Sequence, residues 1–195
     1  MTSRPGTAAA LLGIAVLAVA GCGSQGVARS KPIVARFPFA DVHAAPAPAG
    51  WRATAIASGA VLSYPPDWTP VGGDPGTASA ALAGARQHII GYLNVTPLQG
   101  SESLANWPEF RVRHNAAEGD RAVTTEATAY GVRFLTGTGS CVRDSYTTVS
   151  RARYVELACL VAGAHARSVI VAAAARAQWI KISPVLYRAL SAFRT

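Results

Sequence analysis

Ser140-Cys141-Val142-Arg143-Asp144-Ser145-Tyr146-Thr147-Thr148-Val149-Ser150-Arg151-Ala152-Arg153-Tyr154-Val155-Glu156-Leu157-Ala158-Cys159-Leu160-Val161 decides how this chain folds. Two strand-forming runs flank Val149-Ser150-Arg151, and a connection that short joins antiparallel neighbours. With the turn there, Cys141 falls opposite Cys159 and Tyr146 opposite Tyr154. Directly opposed residues in an antiparallel pair lie within disulfide reach, so Cys141 and Cys159 are expected to bond. The closed loop is short, and stabilisation of roughly 3 kcal/mol follows from the chain-entropy model. Two reduced buried thiols or a metal site are the competing readings. Two thiols without further His or Cys at ligand spacing fall short of a four-ligand site, so no metal and no other cofactor is expected. The same register sets Asp144 against Glu156, an unfavourable like-charge pair unless Arg143 or Arg153 compensates diagonally. Facing carboxylates can serve acid/base chemistry or hold a cation, but a solvated strand face is the simpler expectation.

Outward from this hairpin, Val123–Thr128, Val132–Thr136 and Arg167–Ala175 also read as strands, punctuated by Tyr130-Gly131, Gly137-Thr138-Gly139 and Gly163. Ser168 to Ala174 is apolar on both faces and belongs at the centre of a sheet. Trp51–Ile56 and Ala60–Tyr64 predict a hairpin across Ser58-Gly59, ended by Pro65-Pro66, which cannot donate to a ladder. Asp67 to Val71 leads into the loop Gly72-Gly73-Asp74-Pro75-Gly76, and strands are expected over Ala78–Ala83 and Ile89–Thr96. A helix is predicted over Ser101–Gly119, where Pro108 either kinks it or marks its first turn with Asn106 as cap. A closing helix is predicted with Ser183 as cap, Pro184 at its first position, and Leu186, Ala189, Leu190 and Phe193 on one stripe. The expectation is one α+β domain, mostly antiparallel, over residues 51–195.

The N-terminus carries an address. A short start with one positive charge precedes an apolar run from Ala8 to Ala20. At about 1.5 Å per residue that run spans roughly 20 Å, short of the ~30 Å hydrocarbon core, which suits an export signal better than a spanning helix. Val19-Ala20-Gly21-Cys22 resembles the lipobox of bacterial lipoproteins, the alternative being an ordinary secretory signal with a coincidental cysteine. The resemblance implies cleavage after residue 21, lipidation of Cys22 with palmitate-type acyl chains, and a membrane partner reached through that anchor, outside the cytoplasm. It also leaves Cys141 and Cys159 as an even pair in an oxidising compartment. Residues 22–50 read as a flexible linker, in which Ile33, Phe37 and Phe39 either dock on the domain or stay as apolar residues of a mobile segment.

The chain has 18 Lys and Arg against 10 Asp and Glu, a net charge of +8. Beside a membrane such a charge attracts anionic lipid or acidic wall polymers. Nucleic acid is not expected, because the arginines are scattered rather than clustered. No Gly-x-Ser-x-Gly, His-Glu-x-x-His or phosphate-cradling loop is present, and His43, His88, His114 and His165 fall far apart, so no catalytic residue is assigned. Trp51, Trp68, Trp107 and Trp179 are expected in the core, with Trp107 and Trp179 the candidates for lining a ligand groove.

Ala60-Val61-Leu62-Ser63-Tyr64-Pro65-Pro66-Asp67-Trp68 resembles the early strand and Tyr-Pro-x-x-Trp corner of PsbP-like domains. The order of helix, strand run and closing helix is similar too, as in mycobacterial LpqN-type lipoproteins. The resemblance covers about Trp51 to Thr195 and implies an antiparallel sheet sandwiched between helices. It also implies a non-catalytic accessory or binding module, with no catalytic residues to carry over. The expectation is therefore a lipid-anchored envelope protein with a non-enzymatic binding or accessory domain. A carrier of a lipid or small molecule, with a groove between sheet and helix, is the alternative; an envelope hydrolase is the third reading. Neither ligand nor protein partner is specified.

Overall fold

Short connections force neighbouring strands to run antiparallel, and the computed structural model realises this throughout; it describes residues 39–164 and 166–195. The expectations placed on the signal segment, on Cys22, on Ile33 and Phe37, and on His165 lie outside the described residues. In chain order the elements are β1 (Arg52–Ala55), β2 (Val61–Tyr64), β3 (Thr69–Val71), β4 (Ala78–Ala83), β5 (Ile89–Pro97), α1 (Trp107–Ala117), β6 (Arg121–Arg133), β7 (Gly137–Thr147), β8 (Arg153–Gly163), β9 (Arg167–Ala175) and α2 (Trp179–Ser191). β1 and β2 form a separate ribbon, while the other strands make one sheet in the order β3-β4-β5-β9-β8-β7-β6. β9 is central, as its two-faced apolar sequence requires, and Ser168 to Ala174 are all buried. β3 was expected to lead into a loop; it is instead an edge strand, the sheet position where Pro70 costs no ladder bond.

Alternation across β7, β8 and β9 gives the sheet two different faces. On one, Cys141, Leu157, Cys159, Ile170 and Leu93 meet Leu186, Ala189 and Leu190 of α2 and Phe193 just past its end. Tyr64 and Trp68 of the Pro65-Pro66 corner pack there, and Gly91 makes room: a Cβ on it would come 2.8 Å from the Trp68 ring and 3.2 Å from Ile182. On the other face, Trp107 of α1 packs against Val142, Ala158, Leu160, Val169 and Val171. Cys141 and Cys159 are directly opposed, joined by a disulfide at a Cα separation of 4.1 Å, with both residues fully buried.

Several expectations need correction. Tyr130-Gly131 is a bulge within one long strand, because Ala129 pairs with Cys141 and Val132 with Gly139. Gly131 takes its positive φ of 69° in that bulge, and the turn comes later, where Phe134 N–H donates to Gly137 O. Gly139 belongs to β7 rather than to a turn, since it pairs with Val161 and Val132, and a Cβ there would come 2.7 Å from Leu160 O. α1 starts at Trp107 behind Asn106, the first-turn reading of Pro108. α2 starts at Trp179, so Ser183 is not its cap and Pro184 lies inside it. Burial of Ile182 one turn upstream of Leu186 extends the apolar stripe and carries the helix through the proline. Finally, residues 39–50 are not all tether: Phe39 and Val42 are buried in the α2-side core, and Ala45 N–H donates to Ser191 O at 3.0 Å.

Candidate functional site

α1 packs mainly over β6, β7 and β8, with Trp107 reaching Val169 and Val171 of β9, and so covers only part of that face of the sheet. The step between helix and bare sheet is a groove of about 510 Å³. Its floor is Tyr92, Asn94 and Thr96 of β5 with Val169 and Val171 of β9. Trp107, Phe110, Arg111, His114 and Asn115 form the helical wall. The helix is held in this place by local polar bonds. Asn106 Oδ1 accepts from Ser103 N–H at 2.7 Å, Ser140 Oγ donates to Leu104 O, and Trp107 Nε1 donates to Ala158 O at 2.9 Å. Trp107, Phe110 and His114 then stack in sequence along one helix stripe, with centroids 6.1 and 6.0 Å apart.

Beneath the wall lies a charged network. Tyr92, Ala173, Glu156 and Asp144 stand in register across four strands and share this face. Glu156 and Asp144 are 1% and 0% exposed, so the like-charge pair is buried, not on a solvated face as expected. The compensating charge is neither Arg143 nor Arg153. Arg111 donates from Nε to Glu156 Oε1 at 2.7 Å and from Nη2 to Oε2 at 3.0 Å, and Tyr146 OH donates to Oε2 at 3.1 Å. Arg143 points to the opposite face, where its Nε lies 2.8 Å from Glu126 and its guanidinium 5.0 Å from the Trp179 ring. Asp144 receives Asn115 Nδ2 at 3.2 Å on Oδ2, and its Oδ1 has no hydrogen-bond partner among the described residues.

The titration of these groups follows from burial. Desolvation, then the Glu156 charge, pushes the Asp144 carboxyl up to about 8. Tyr146 is raised by burial and by Glu156. For Arg111, burial opposes the charge, but the Glu156 carboxylate outweighs it and the guanidinium is held more firmly protonated than usual. Asp120, at the groove rim, is raised by burial and by Glu156 and Glu118.

Trp107 and Trp179 do not share a groove: the structure puts them on opposite faces of the sheet, Trp107 in the groove wall and Trp179 beside the α2-side core. Alternation in the strands decides this, because the two helices pack on opposite sides of the same ladder. His114 bonds Glu118 at 3.1 Å on the helix surface, while His43 and His88 lie elsewhere. Among the described residues no three His, Cys, Asp or Glu groups are arranged to hold a metal ion. Among them also, no helix is long and apolar enough to cross a membrane. Sequence reading missed Arg111, Asn115, Tyr92 and Asn94. The mixed alternation of β5 was the available signal, since polar Tyr92, Asn94 and Thr96 all point one way from a strand whose other side is buried.

No protein-family model and no curated protein sequence matches the chain. Among solved structures, the cyanobacterial PsbP protein CyanoP from Synechocystis sp. PCC 6803 is similar at 13% identity over 76% of this chain and 94% of that one, with a TM-score of 0.52. That likeness shows a PsbP-like fold. A protein of unknown function from Pseudomonas aeruginosa matches at 11% identity over 74% and 96% of the two chains, with a TM-score of 0.49. LpqN, involved in cell envelope biogenesis of Mycobacterium tuberculosis, matches at 13% identity over 69% and 81%, with a TM-score of 0.43.

Proposed function

We propose that the chain is a lipid-anchored envelope protein whose PsbP-like domain is a non-enzymatic binding module, with the groove between α1 and the β5–β9 floor as its ligand site. The half-covered sheet face carries this reading. A helix that buried its whole face would leave no space, whereas here about 510 Å³ stays open, within the range of small-molecule sites. Its floor presents the Tyr92 hydroxyl, the Asn94 amide and the Thr96 hydroxyl beside Val169 and Val171, a mixture suited to a small molecule with both polar and apolar parts rather than to an acyl chain. Attachment rests on the lipobox-like stretch before Cys22, and the net charge of +8 suits a neighbouring anionic lipid or wall polymer.

Native mass spectrometry after gentle extraction tests the groove. The protein is expected to carry a small ligand, or to take one from an envelope extract, and Asn94→Trp, which fills the floor, should abolish it. Identical spectra for both proteins would overturn the assignment. Cys22→Ala is expected to move the protein from the membrane fraction to the soluble one; retention would refute the anchor.

A further inference from the structure

The chain is basic, yet its acids converge on one place. Of the 10 Asp and Glu in the sequence, Asp74, Glu102, Glu118, Asp120 and Glu156 line the groove, and Asp144 stands directly behind Glu156. Of the 18 Lys and Arg, Arg111 is the one among the described residues that lines it, and its Nε and Nη2 bond to Glu156, whose carboxylate offsets its charge. The groove is therefore electronegative inside an electropositive molecule.

A second observation points to what is missing. Glu102 is 5% exposed; its Oε1 accepts from Gln99 N–H at 2.7 Å, but its Oε2 is buried without a partner. Glu102 lines the groove, and no described group supplies that oxygen with a donor. A buried carboxylate oxygen left unpaired costs free energy, and a donor from a ligand relieves it. An ammonium group brings three donors and the opposite charge. A metal ion fits less well, since the described carboxylates do not gather into a ligand set. Phe110, partly exposed on the wall beside the buried Trp107, supplies aromatic surface of the kind that attracts ammonium groups and accommodates an apolar body.

We infer that the groove selects an organic cation: a small molecule carrying a primary ammonium group on an apolar body, with Glu102 and Asp120 as its charge partners. This rests on the groove being the ligand site and names the chemistry it takes. Asp120 at the rim feels Glu118 and Glu156 as well as burial, consistent with a local negative field that an incoming cation would neutralise.

Three probes of one shape separate the possibilities: phenethylamine, the neutral 2-phenylethanol and the anionic 3-phenylpropanoate. Each is titrated by calorimetry into the detergent-solubilised full chain at low and at physiological salt. The amine is expected to bind at least tenfold more tightly than the alcohol, the carboxylate not at all, and salt to weaken the amine. Asp120→Asn and Glu102→Gln should each weaken the amine about tenfold without changing the alcohol. Asp120 is half-exposed, so its variant tests the inference even where Glu102→Gln unfolds the domain. Equal binding of amine and alcohol, lost in Asn94→Trp, would overturn the cation preference and leave the groove standing. Absence of binding by all three probes, together with no ligand by mass spectrometry, would overturn both.

Discussion

Asp144 and Glu156 face one another across β7 and β8, and Arg111 forks onto Glu156 alone. One buried guanidinium thus serves two buried carboxylates, and the second keeps its proton to unusually high pH. The Asp144 carboxyl moves from 3.8 to about 8, so the folded chain holds a proton that the unfolded chain has released across that window. Stability should fall as pH rises through it and level off above pH 8. Asp144→Asn is expected to flatten that decline, becoming the more stable protein at pH 9 relative to its standing at pH 5; parallel urea-denaturation profiles would refute this. Arg111→Ala strands a buried carboxylate and should cost about 3–5 kcal/mol in the same assay. Arg111→Lys keeps the charge but loses the two-pronged bond, and should recover only part of that loss.

Helix boundaries matter at the next scale, because α1 and α2 pack on opposite sides of the sheet. Pro184 was expected to open α2 and lies inside it instead, at an exposed position. The two placements predict opposite results. At a first position Pro184→Ala would be neutral or slightly destabilising; inside the helix it restores a backbone donor and removes a clash, so a gain of about 1–3 kcal/mol is expected in thermal or chemical unfolding. For α1, Trp107 is 2% exposed and supplies both packing and the bond to Ala158 O. Trp107→Ala should cost about 3–5 kcal/mol and loosen the groove wall, visible as faster amide exchange in residues 107–117 than in β9. Equal exchange in both elements would show that the helix does not depend on this anchor.

At the scale of the whole described domain, strand pairing holds the sheet together, and the disulfide closes a loop with a sequence separation of 18. Cys141→Ser with Cys159→Ser should therefore cost about 3 kcal/mol without altering the groove. Unreduced mature protein should show no free thiol at either position; two titratable thiols would refute the bond in solution.

Much of this architecture is legible without coordinates, and the reason is local. A three-residue turn determines which residues oppose each other, so Cys141–Cys159, Tyr146–Tyr154 and Asp144–Glu156 follow from counting. A two-faced apolar run belongs at a sheet centre, so β9 follows from composition. Tyr130-Gly131 misleads because a positive φ serves a bulge as readily as a turn, and only pairing with β7 distinguishes them. Local pattern also leaves Phe39 undecided, because its burial depends on surface supplied by distant parts of the chain. The candidate site belongs wholly to tertiary structure. How far α1 slides across the sheet decides that Arg111 reaches Glu156, that a like-charge pair is buried, and that acids from residue 74 to residue 156 line one groove. Turn length and period set the strands; helix placement on the finished sheet, a balance of many non-local contacts, set the site.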